Sequence, residues 1–251
     1  PAHWFYQEWI LKAEEKGALR IPFSMEDNPG LSPQMLERYR TMFQGTFYRR
    51  FVLGEWVAAE GLVYDFFDES FVHTAPEGLE EWYISCDYGT VNPTSMGLWG
   101  KKDGVWYRTA EFYYDARKMH RQKTDEEYAD ALAELAGGRD IRAVIVDPAA
   151  ASFIETLRRR GWRVRRADNR VLSGIRLTAR LLKAGKLVIC PGCGDAIREF
   201  ALYRWEEQGD GQDRVRKEND HAMDEIRYFA ATVAERKGGG VYAGCVERGR
   251  F

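Results

Sequence analysis

Long hydrophobic runs are missing from this sequence of 251 residues, and no stretch approaches the roughly 20 apolar residues that a membrane span needs. A basic segment followed by an apolar run, which would mark a secretory signal, is missing as well. The chain begins with Pro1 and has no initiator methionine, so it has the character of a fragment. These absences predict a protein that is neither secreted nor inserted in a membrane.

Cysteine is scarce, with four residues in the chain. Cys190 and Cys193 form a CxxC motif, but the sequence has neither a second such pair nor a nearby pair of histidines. Because a structural zinc ion takes four ligands, this half-motif does not define a zinc site. The cysteines are therefore predicted to be free thiols in a reducing compartment.

Apolar and aromatic residues are plentiful, at 45% and 14% of the chain, which is enough for a packed core. This composition is not that of a disordered chain. A phosphate-binding loop of the GxxxxGK[ST] type does not occur in the sequence, so the chain lacks the means to bind ATP in that manner.

Charge is distributed unevenly, although the formal net charge is only −2. Between residues 158 and 183 there are ten basic residues and one acidic residue, Asp168. Such a local basic field suits a surface that follows a phosphate backbone, and a solvated helix face explains the pattern equally well. The candidate nucleic-acid-binding residues are Arg158, Arg159, Arg163, Arg165, Arg166, Arg176, Arg180 and Lys183.

Four segments are predicted from changes of pattern along the chain. Residues 1–60 are predicted to be a small helical appendage, in which Ser32 and Pro33 open one helix. Residues 61–79, punctuated by glycine and proline, have the character of a linker. Residues 80–236 carry the main domain, and residues 237–251 form a C-terminal tail.

The main domain is predicted to contain a mixed β-sheet flanked by helices. Strands are expected over residues 82–86, 94–99 and 105–114, and a hairpin turn at residues 101–104 joins the last two. Helices and short strands then alternate as far as residue 234, among them a strand at residues 162–164 and a helix near residues 195–205. This order indicates an α/β fold of the ribonuclease H-like type, with the helical appendage at its N-terminus.

Two aspartates directly follow predicted buried strands. Asp87 comes after residues 83–86, and Asp147 comes after residues 143–146. Because ligands of α/β sheets bind at the carboxyl ends of the strands, both acids are expected at one binding crevice. A third acid, Asp224, lies three residues after His221, so that the two share one face at the start of a helix.

Three convergent carboxylates repel one another unless cations neutralise them, and Mg²⁺ and Mn²⁺ prefer such oxygen ligands. Two ions about 3.5–4 Å apart can hold a phosphodiester, activate a water molecule and stabilise the departing oxygen. Asp87, Asp147 and Asp224 are therefore candidate catalytic and metal-binding residues. Each aspartate taken alone is also typical of a helix cap or turn.

Several motifs of the sequence resemble tailed-phage large terminases, specifically their C-terminal nuclease domain preceded by the end of the ATPase domain. The resemblance covers nearly the whole chain, and its last motif is the most specific. The motifs, in family order, are residues 47–57 (FYRRFVLGEWV), 60–64 (EGLVY), 87–94 (DYGTVNPT), 146–149 (VDPA), 174–176 (GIR) and 219–228 (NDHAMDEIRY).

The resemblance implies an endonuclease that uses two Mg²⁺ or Mn²⁺ ions to cut concatemeric viral DNA at the start and end of packaging. It implies that Asp87, Asp147 and Asp224 bind the metal and that His221 is an auxiliary ligand or a phosphate contact. Asp220 is the weaker alternative for the third acid. Residues 1–60 correspond to the end of the ATPase domain, whose nucleotide-binding half is absent here.

The resemblance also implies the surroundings in which the chain acts. Double-stranded DNA is the implied substrate, cut with low sequence specificity because phosphate contacts position DNA without reading its bases. The portal protein and the small terminase subunit are the implied protein partners. The implied location is the host cytoplasm, transiently at the portal of the prohead.

Three other interpretations remain open. A ribonuclease H-like resolvase or transposase would share the acids but not the linking motif at residues 54–56. A sugar-kinase or actin-like ATPase would explain residues 87–90, but it needs a second such domain for which 251 residues leave no room. A non-catalytic DNA-docking module would use the same aspartates as helix caps.

Overall fold

The computed structural model of the chain describes residues 5–42, 48–49, 52–56, 61–206 and 213–235. The predicted C-terminal tail, residues 237–251, lies outside this range, and so does part of the motif at residues 47–57. None of the helices in the described residues is long and apolar enough to cross a membrane.

A mixed β-sheet of six strands lies at the centre of the described part of the chain. Its strands are β1 Glu80–Asp87, β2 Thr94–Lys102, β3 Val105–Tyr114, β4 Ile141–Val146, β5 Val164–Arg166 and β6 Leu187–Ile189. Their order across the sheet is β5-β4-β1-β2-β3-β6. The first three strands are antiparallel, whereas β4 pairs with β1, β5 with β4 and β6 with β3 in parallel.

Helices cover both faces of this sheet, so the predicted α/β architecture is confirmed. The α-helices are α1 Pro33–Met42, α2 Asp125–Ala136, α3 Ala151–Arg159, α4 Val171–Lys183, α5 Gly194–Phe200 and α6 His221–Phe229. Helix α6 continues directly into a π-helix, Ala230–Ala234.

Two hydrophobic cores lie on opposite faces of the sheet. On one face, Tyr128 of α2 and Phe153 of α3 pack against Leu98 and other apolar residues of the central strands. On the other face, α4, α5 and α6 cover the sheet, and Phe229 stacks on Trp99 with ring centroids 4.0 Å apart. Burial on both faces explains why the central strands are nearly continuous apolar runs.

The segment predicted as a linker, residues 61–79, contributes to the core. Val63 and Tyr64 are buried, and the Tyr64 ring contacts the rings of Phe200 and Tyr203. An isolated bridge between Val72 and Ile189 joins this segment to β6, and a second bridge joins Leu62 to Arg204. Aromatic side chains in the segment therefore supply packing that its glycine and proline content did not predict.

Two element boundaries differ from the prediction. The strand expected around residues 162–164 is found at Val164–Arg166, because Val164 to Arg166 pair with Val144 to Val146 of β4. The helix expected over residues 195–205 ends at Phe200, and Trp205 instead forms a bridge with Val215.

Candidate active site

Two neighbouring parallel strands place Asp87 and Asp147 at the same edge of the sheet. Asp87 is the last residue of β1, and Asp147 follows the last residue of β4. Cys86 and Val146, the residues that precede them, are paired in the sheet register. This pairing brings both acids to one crevice, where the sequence predicted them.

A pocket of about 570 Å³ opens at this edge of the sheet. Acidic residues from three distant segments line it, together with few basic groups. The lining includes the ionisable residues Asp87, Asp147, Lys217, Asp220, His221, Asp224 and Tyr228. The structure thus brings together the three predicted acids and the predicted histidine, and it adds Lys217 and Tyr228.

Helix α6 presents one face to the pocket. His221 lies in its first turn, where Nδ1 is 3.0 Å from Oδ2 of Asp87. Asp224 and Tyr228 follow at helical spacing on the same face. The spacing of His221 and Asp224 predicted this face of the helix. Tyr228 lies four residues after Asp224, so the same helical spacing would have predicted it as a further residue of this face.

The hydroxyl of Tyr228 lies between the two strand-end acids. It is 3.0 Å from Oδ2 of Asp147 and 3.5 Å from Oδ1 of Asp87. Burial, together with the charge of Asp87, raises the pKa of the Tyr228 phenol, which therefore stays protonated and acts as a donor. One side chain of α6 thus joins both acids of the sheet edge.

Asp224 is balanced by two basic groups. Nη2 of Arg227 lies 2.8 Å from Oδ1 of Asp224, and Nζ of Lys217 lies 3.4 Å from Oδ2. Oδ1 of Asp224 is nevertheless buried without a directed hydrogen bond, as is Oδ1 of Asp220. The contact with Arg227 is therefore electrostatic in character, and both carboxylates keep buried lone pairs.

Burial and the mutual repulsion of the acids shape the electrostatics of the pocket. Burial raises the pKa of Asp87, and the charge of Asp224 adds to this effect while the hydrogen bond with His221 opposes it. Burial and the charge of Asp224 likewise raise the pKa of Asp220. Burial acts to lower the pKa of His221, but its contacts with Asp87 and Asp220 raise it overall. The pocket therefore favours additional positive charge.

The loop after Asp87 is held in a tight conformation at Gly89. A Cβ atom on this residue would collide with the backbone oxygens of Asn92 and Pro93. Oγ1 of Thr94 donates to the carbonyl oxygen of Gly89 at 2.9 Å and accepts from its N–H at 3.1 Å. These contacts close the loop that forms one wall of the pocket.

Asp147 has a local role as well as a place in the pocket. Its Oδ1 accepts a 2.7 Å hydrogen bond from the backbone N–H of Ala149, as a turn-forming aspartate does. Its Oδ2 faces the hydroxyl of Tyr228 and, at 3.4 Å, the side-chain amide of Asn169. Asp147 thus forms the turn that is typical of a lone aspartate and also lies in the pocket with Asp87.

The chemistry of the donors suits a hard divalent cation, although the side chains do not surround one point. In the described part of the chain, no group of three or more His, Cys, Asp or Glu residues is arranged to hold a metal ion. Four carboxylates nevertheless line the pocket against Lys217 and His221, and two of them have buried oxygens without hydrogen bonds. Carboxylate oxygens in excess of basic partners are the ligands that Mg²⁺ and Mn²⁺ take.

The basic residues predicted between 158 and 183 are divided between the two edges of the sheet. Arg158 and Arg159 end α3, which runs away from the pocket, and Arg163 precedes β5 at the opposite edge. Arg165 and Arg166 lie on β5 toward the pocket edge, since Arg166 pairs with Val146.

The remaining members of this set, Arg176, Arg180 and Lys183, lie on α4. Arg180 forms a 2.9 Å ion pair with Glu235, and Nζ of Lys183 lies 4.2 Å from the centre of the Phe66 ring. The stretch is therefore not one continuous surface around the pocket.

Three cysteines and Glu199 are buried in the cores that flank the sheet. Cys86, Cys190 and Cys193 are buried free thiols, in agreement with the prediction for these three residues. Glu199 is buried and accepts a 2.7 Å hydrogen bond from the backbone N–H of Ala222, which fixes the start of α6.

A mixed sheet of this order, with acids at adjacent strand ends and helices on both faces, defines a ribonuclease H-like domain. No model of a protein family matches the sequence, and no curated protein matches it. Solved structures do match. The large terminase of a thermophilic bacteriophage, solved in complex with ADP, aligns with 94% of this chain at 44% identity and a TM-score of 0.86.

Two nuclease domains share the fold at lower identity. The nuclease domain of the P22 large terminase aligns with 68% of this chain at 17% identity, with a TM-score of 0.54, over 91% of its own length. The large terminase nuclease of the thermophilic phage G20c aligns with 70% at 14% identity, with a TM-score of 0.52, over 98% of its length. The chain belongs to the large-terminase family of tailed phages. It spans 60% of the length of the ADP-bound large terminase.

Proposed function

We propose that this domain is an endonuclease that cuts the DNA backbone during packaging of a phage genome, with divalent metal ions at the described pocket. The observation that carries the proposal is the convergence of Asp87, Asp147 and Asp224 from three distant segments on one pocket. Two of these acids, Asp87 and Asp147, lie at the carboxyl ends of neighbouring parallel strands, where α/β sheets bind their ligands, and helix α6 adds Asp224.

The proposed cofactor is Mg²⁺ or Mn²⁺, held by Asp87, Asp147 and Asp224 with His221 as an auxiliary ligand. The G20c nuclease, which shares this fold, has been solved with bound magnesium and with bound cobalt. When bound, two such ions supply an activated water molecule and stabilise the negative charge that develops at phosphorus and on the departing oxygen.

The side chains of the pocket orient these acids and balance their charge. His221 and Tyr228 hold the Asp87 carboxylate from two sides, and Tyr228 and Ala149 do the same for Asp147. Lys217 is 68% exposed and pairs with Asp220 and Asp224 at 3.4 Å. Once cations neutralise those acids, the ammonium group is available to a phosphate oxygen of DNA.

The proposed substrate is double-stranded DNA, and the proposed partners of the complete protein are the portal protein and the small terminase subunit. The aligned region covers 60% of the ADP-bound relative. Contacts with these partners are therefore proposed for the complete protein and not for the described residues alone. Of the alternatives, a resolvase or transposase is disfavoured by 44% identity to a large terminase over nearly the whole chain.

Cleavage of supercoiled plasmid by the purified chain tests the proposal. We expect nicking in Mn²⁺ or Mg²⁺ that EDTA abolishes, and a loss of at least about 100-fold in the Asp87→Asn, Asp147→Asn and Asp224→Asn variants. Asp103→Asn is the matched control, because Asp103 lies in the β2–β3 turn outside the pocket with φ of 49°, which asparagine also adopts.

The outcome for Asp87→Asn is decisive. Nicking by this variant at the rate of the parent would place the reaction elsewhere and leave the pocket a structural feature. Comparison of a four-way junction with linear duplex separates the resolvase alternative, because a terminase-type nuclease is expected to cut both without preference for the branch.

A further inference from the structure

A second cluster of basic residues lies between β3 and α2, within residues 115–123. Its members are Arg117, Lys118, His120, Arg121 and Lys123. The sheet register places this segment, which we call the basic loop, at the pocket edge. Tyr114, the last residue of β3, pairs with Thr94, while Asp87 pairs with the adjacent Ser95.

The basic loop forms its own cavity, of about 300 Å³, directly beside the acidic pocket. The lining includes Arg117, His120 and Arg121 from the loop and Val91 from the segment after Asp87. Asn92, the next residue, lines the acidic pocket instead. Nη2 of Arg117 donates a 2.9 Å hydrogen bond to Oδ1 of Asn92. The two cavities therefore share one wall.

Positive charge in the basic loop is only partly compensated. Arg121 pairs with Glu127, whereas Lys118 lies 3.5 Å from Asp115 and keeps 74% of its side chain exposed. For Arg117 and His120, the described residues contain no carboxylate within ion-pair distance. The acidic pocket thus adjoins a basic loop whose positive charges are not all paired with carboxylates.

We propose that the basic loop binds backbone phosphates of the DNA strand that passes through the acidic pocket. This inference rests on the proposed nuclease function and specifies where its substrate lies. Strands β1 and β3 are two strand spacings apart, or about 10 Å, which corresponds to roughly three base-pair rises along duplex DNA. Phosphates close to the cleaved bond are therefore within reach of Arg117, Lys118 and Lys123.

The shared wall favours DNA over an acidic protein as the occupant of this surface. A phosphate backbone extends continuously from the pocket across the 91–92 segment to the loop, whereas a protein partner would need no continuity with the acids. Phosphate contacts also have a measurable signature, because each one releases counterions and steepens the dependence of binding on salt.

The test is binding of a short fluorescent duplex, followed by anisotropy, to protein that carries Asp87→Asn to prevent cleavage. The variant under test adds Arg117→Gln and Lys118→Gln. A second variant, Lys118→Gln with Lys123→Gln, leaves the Arg117–Asn92 contact intact. The matched control is Arg142→Gln with Lys186→Gln, which removes the same charge at the opposite edge of the sheet, where Ile141 begins β4 and Leu187 begins β6.

We expect both loop variants to bind roughly tenfold more weakly than the parent, with a log–log salt slope shallower by about 1.8, as two lost phosphate contacts require. The control should stay within about twofold of the parent, as expected for charges that touch no phosphate. Equal losses in the loop and control variants would overturn the inference, because they would indicate general electrostatic attraction. Parent-like binding by both loop variants would overturn it as well.

Failure of this inference is distinguishable from failure of the proposed function. If the protein with Asp87 intact nicks plasmid while both loop variants bind DNA normally, the nuclease proposal stands and the loop assignment is wrong. If that protein neither binds nor nicks DNA, both are wrong.

Discussion

The guanidinium group of Arg108 donates two hydrogen bonds to one carboxylate oxygen of Glu225, from Nε at 3.0 Å and from Nη2 at 2.8 Å. Both side chains are fully buried. The other carboxylate oxygen of Glu225 accepts from Ser85 and, at 3.1 Å, from Nε1 of Trp99. A single carboxylate of α6 is thus tied to β1, β2 and β3.

This network lies directly beneath the acidic pocket. Glu225 follows Asp224 in α6, and Ser85 comes two residues before Asp87 in β1. The ion pair therefore fixes the height and rotation of α6 relative to the strand that carries Asp87. The buried charges of Arg108 and Glu225 neutralise each other, and Arg108 is also paired with Glu111 at 2.6 Å.

Removal of the Glu225 charge should destabilise the fold. Glu225→Gln leaves the buried Arg108 guanidinium with only one carboxylate partner, and we expect the free energy of unfolding to fall by about 3 kcal/mol. Urea denaturation followed by tryptophan fluorescence measures the change. Glu126→Gln serves as the control, because Glu126 pairs with Arg159 on the surface and its loss should leave the midpoint unchanged. A parent-like midpoint for Glu225→Gln would contradict this account of the network.

Gly97 of β2 provides the space that the ion pair occupies. A Cβ atom at this position would lie 2.5 Å from Nε of Arg108 and 2.5 Å from Oε1 of Glu225. Gly97→Ala should therefore force the pair apart and cost about 2 kcal/mol of stability, measured in the same denaturation experiment.

The control for this change is Gly194→Ala at the start of α5, where a Cβ atom would meet nothing within 4 Å. This substitution should be neutral or slightly stabilising, because alanine restricts the unfolded chain more than glycine does. Equal stability of the two alanine variants would show that the pair tolerates displacement.

Acid pH should reveal the contribution of Asp168. The hydrogen bonds from Arg170 lower the pKa of Asp168 to about 2 from its usual 3.8. A carboxylate with a lowered folded-state pKa stabilises the fold above its usual pKa and loses this contribution as the pH falls toward the folded value. The difference in urea midpoint between the parent and Asp168→Asn should be full at neutral pH and shrink between about pH 4 and pH 2.

High salt should reduce this difference at neutral pH, because Arg170 is 75% exposed and the pair is screened. A difference that stays constant from neutral pH to pH 2 would mean that the ion pair has no role and that the substitution acts through packing or the backbone.

The ends of β1 and β4 could be predicted because a largely apolar run stops at an aspartate in both cases. The helical spacing of His221 and Asp224 was equally readable, since the 3.6-residue period is local. The strand order was not readable, because the pairing of β6 with β3 depends on contacts between residues about 80 positions apart, such as Trp106 and Leu187.

Charged residues within regular elements were the harder part of the prediction. Arg108 and Glu225 are charged residues of a kind that usually lies on the surface. No local sequence pattern indicates that they meet in the core. The basic loop was obscured for a related reason, because its proximity to Asp87 arises from the antiparallel turn at residues 102–105 and not from distance along the chain. Clusters of charge were visible in the sequence, but their position relative to the pocket was not.

Asp87, Asp147 and Asp224 are proposed to bind divalent cations together. Crystals grown with Mn²⁺ and measured for anomalous scattering test it most directly. We predict an anomalous peak in the acidic pocket about 2.1 Å from carboxylate oxygens of Asp87 and Asp147, with a second ion or the same one contacting Asp224. A pocket without anomalous density at saturating Mn²⁺, in crystals of a protein that nicks DNA, would contradict the account.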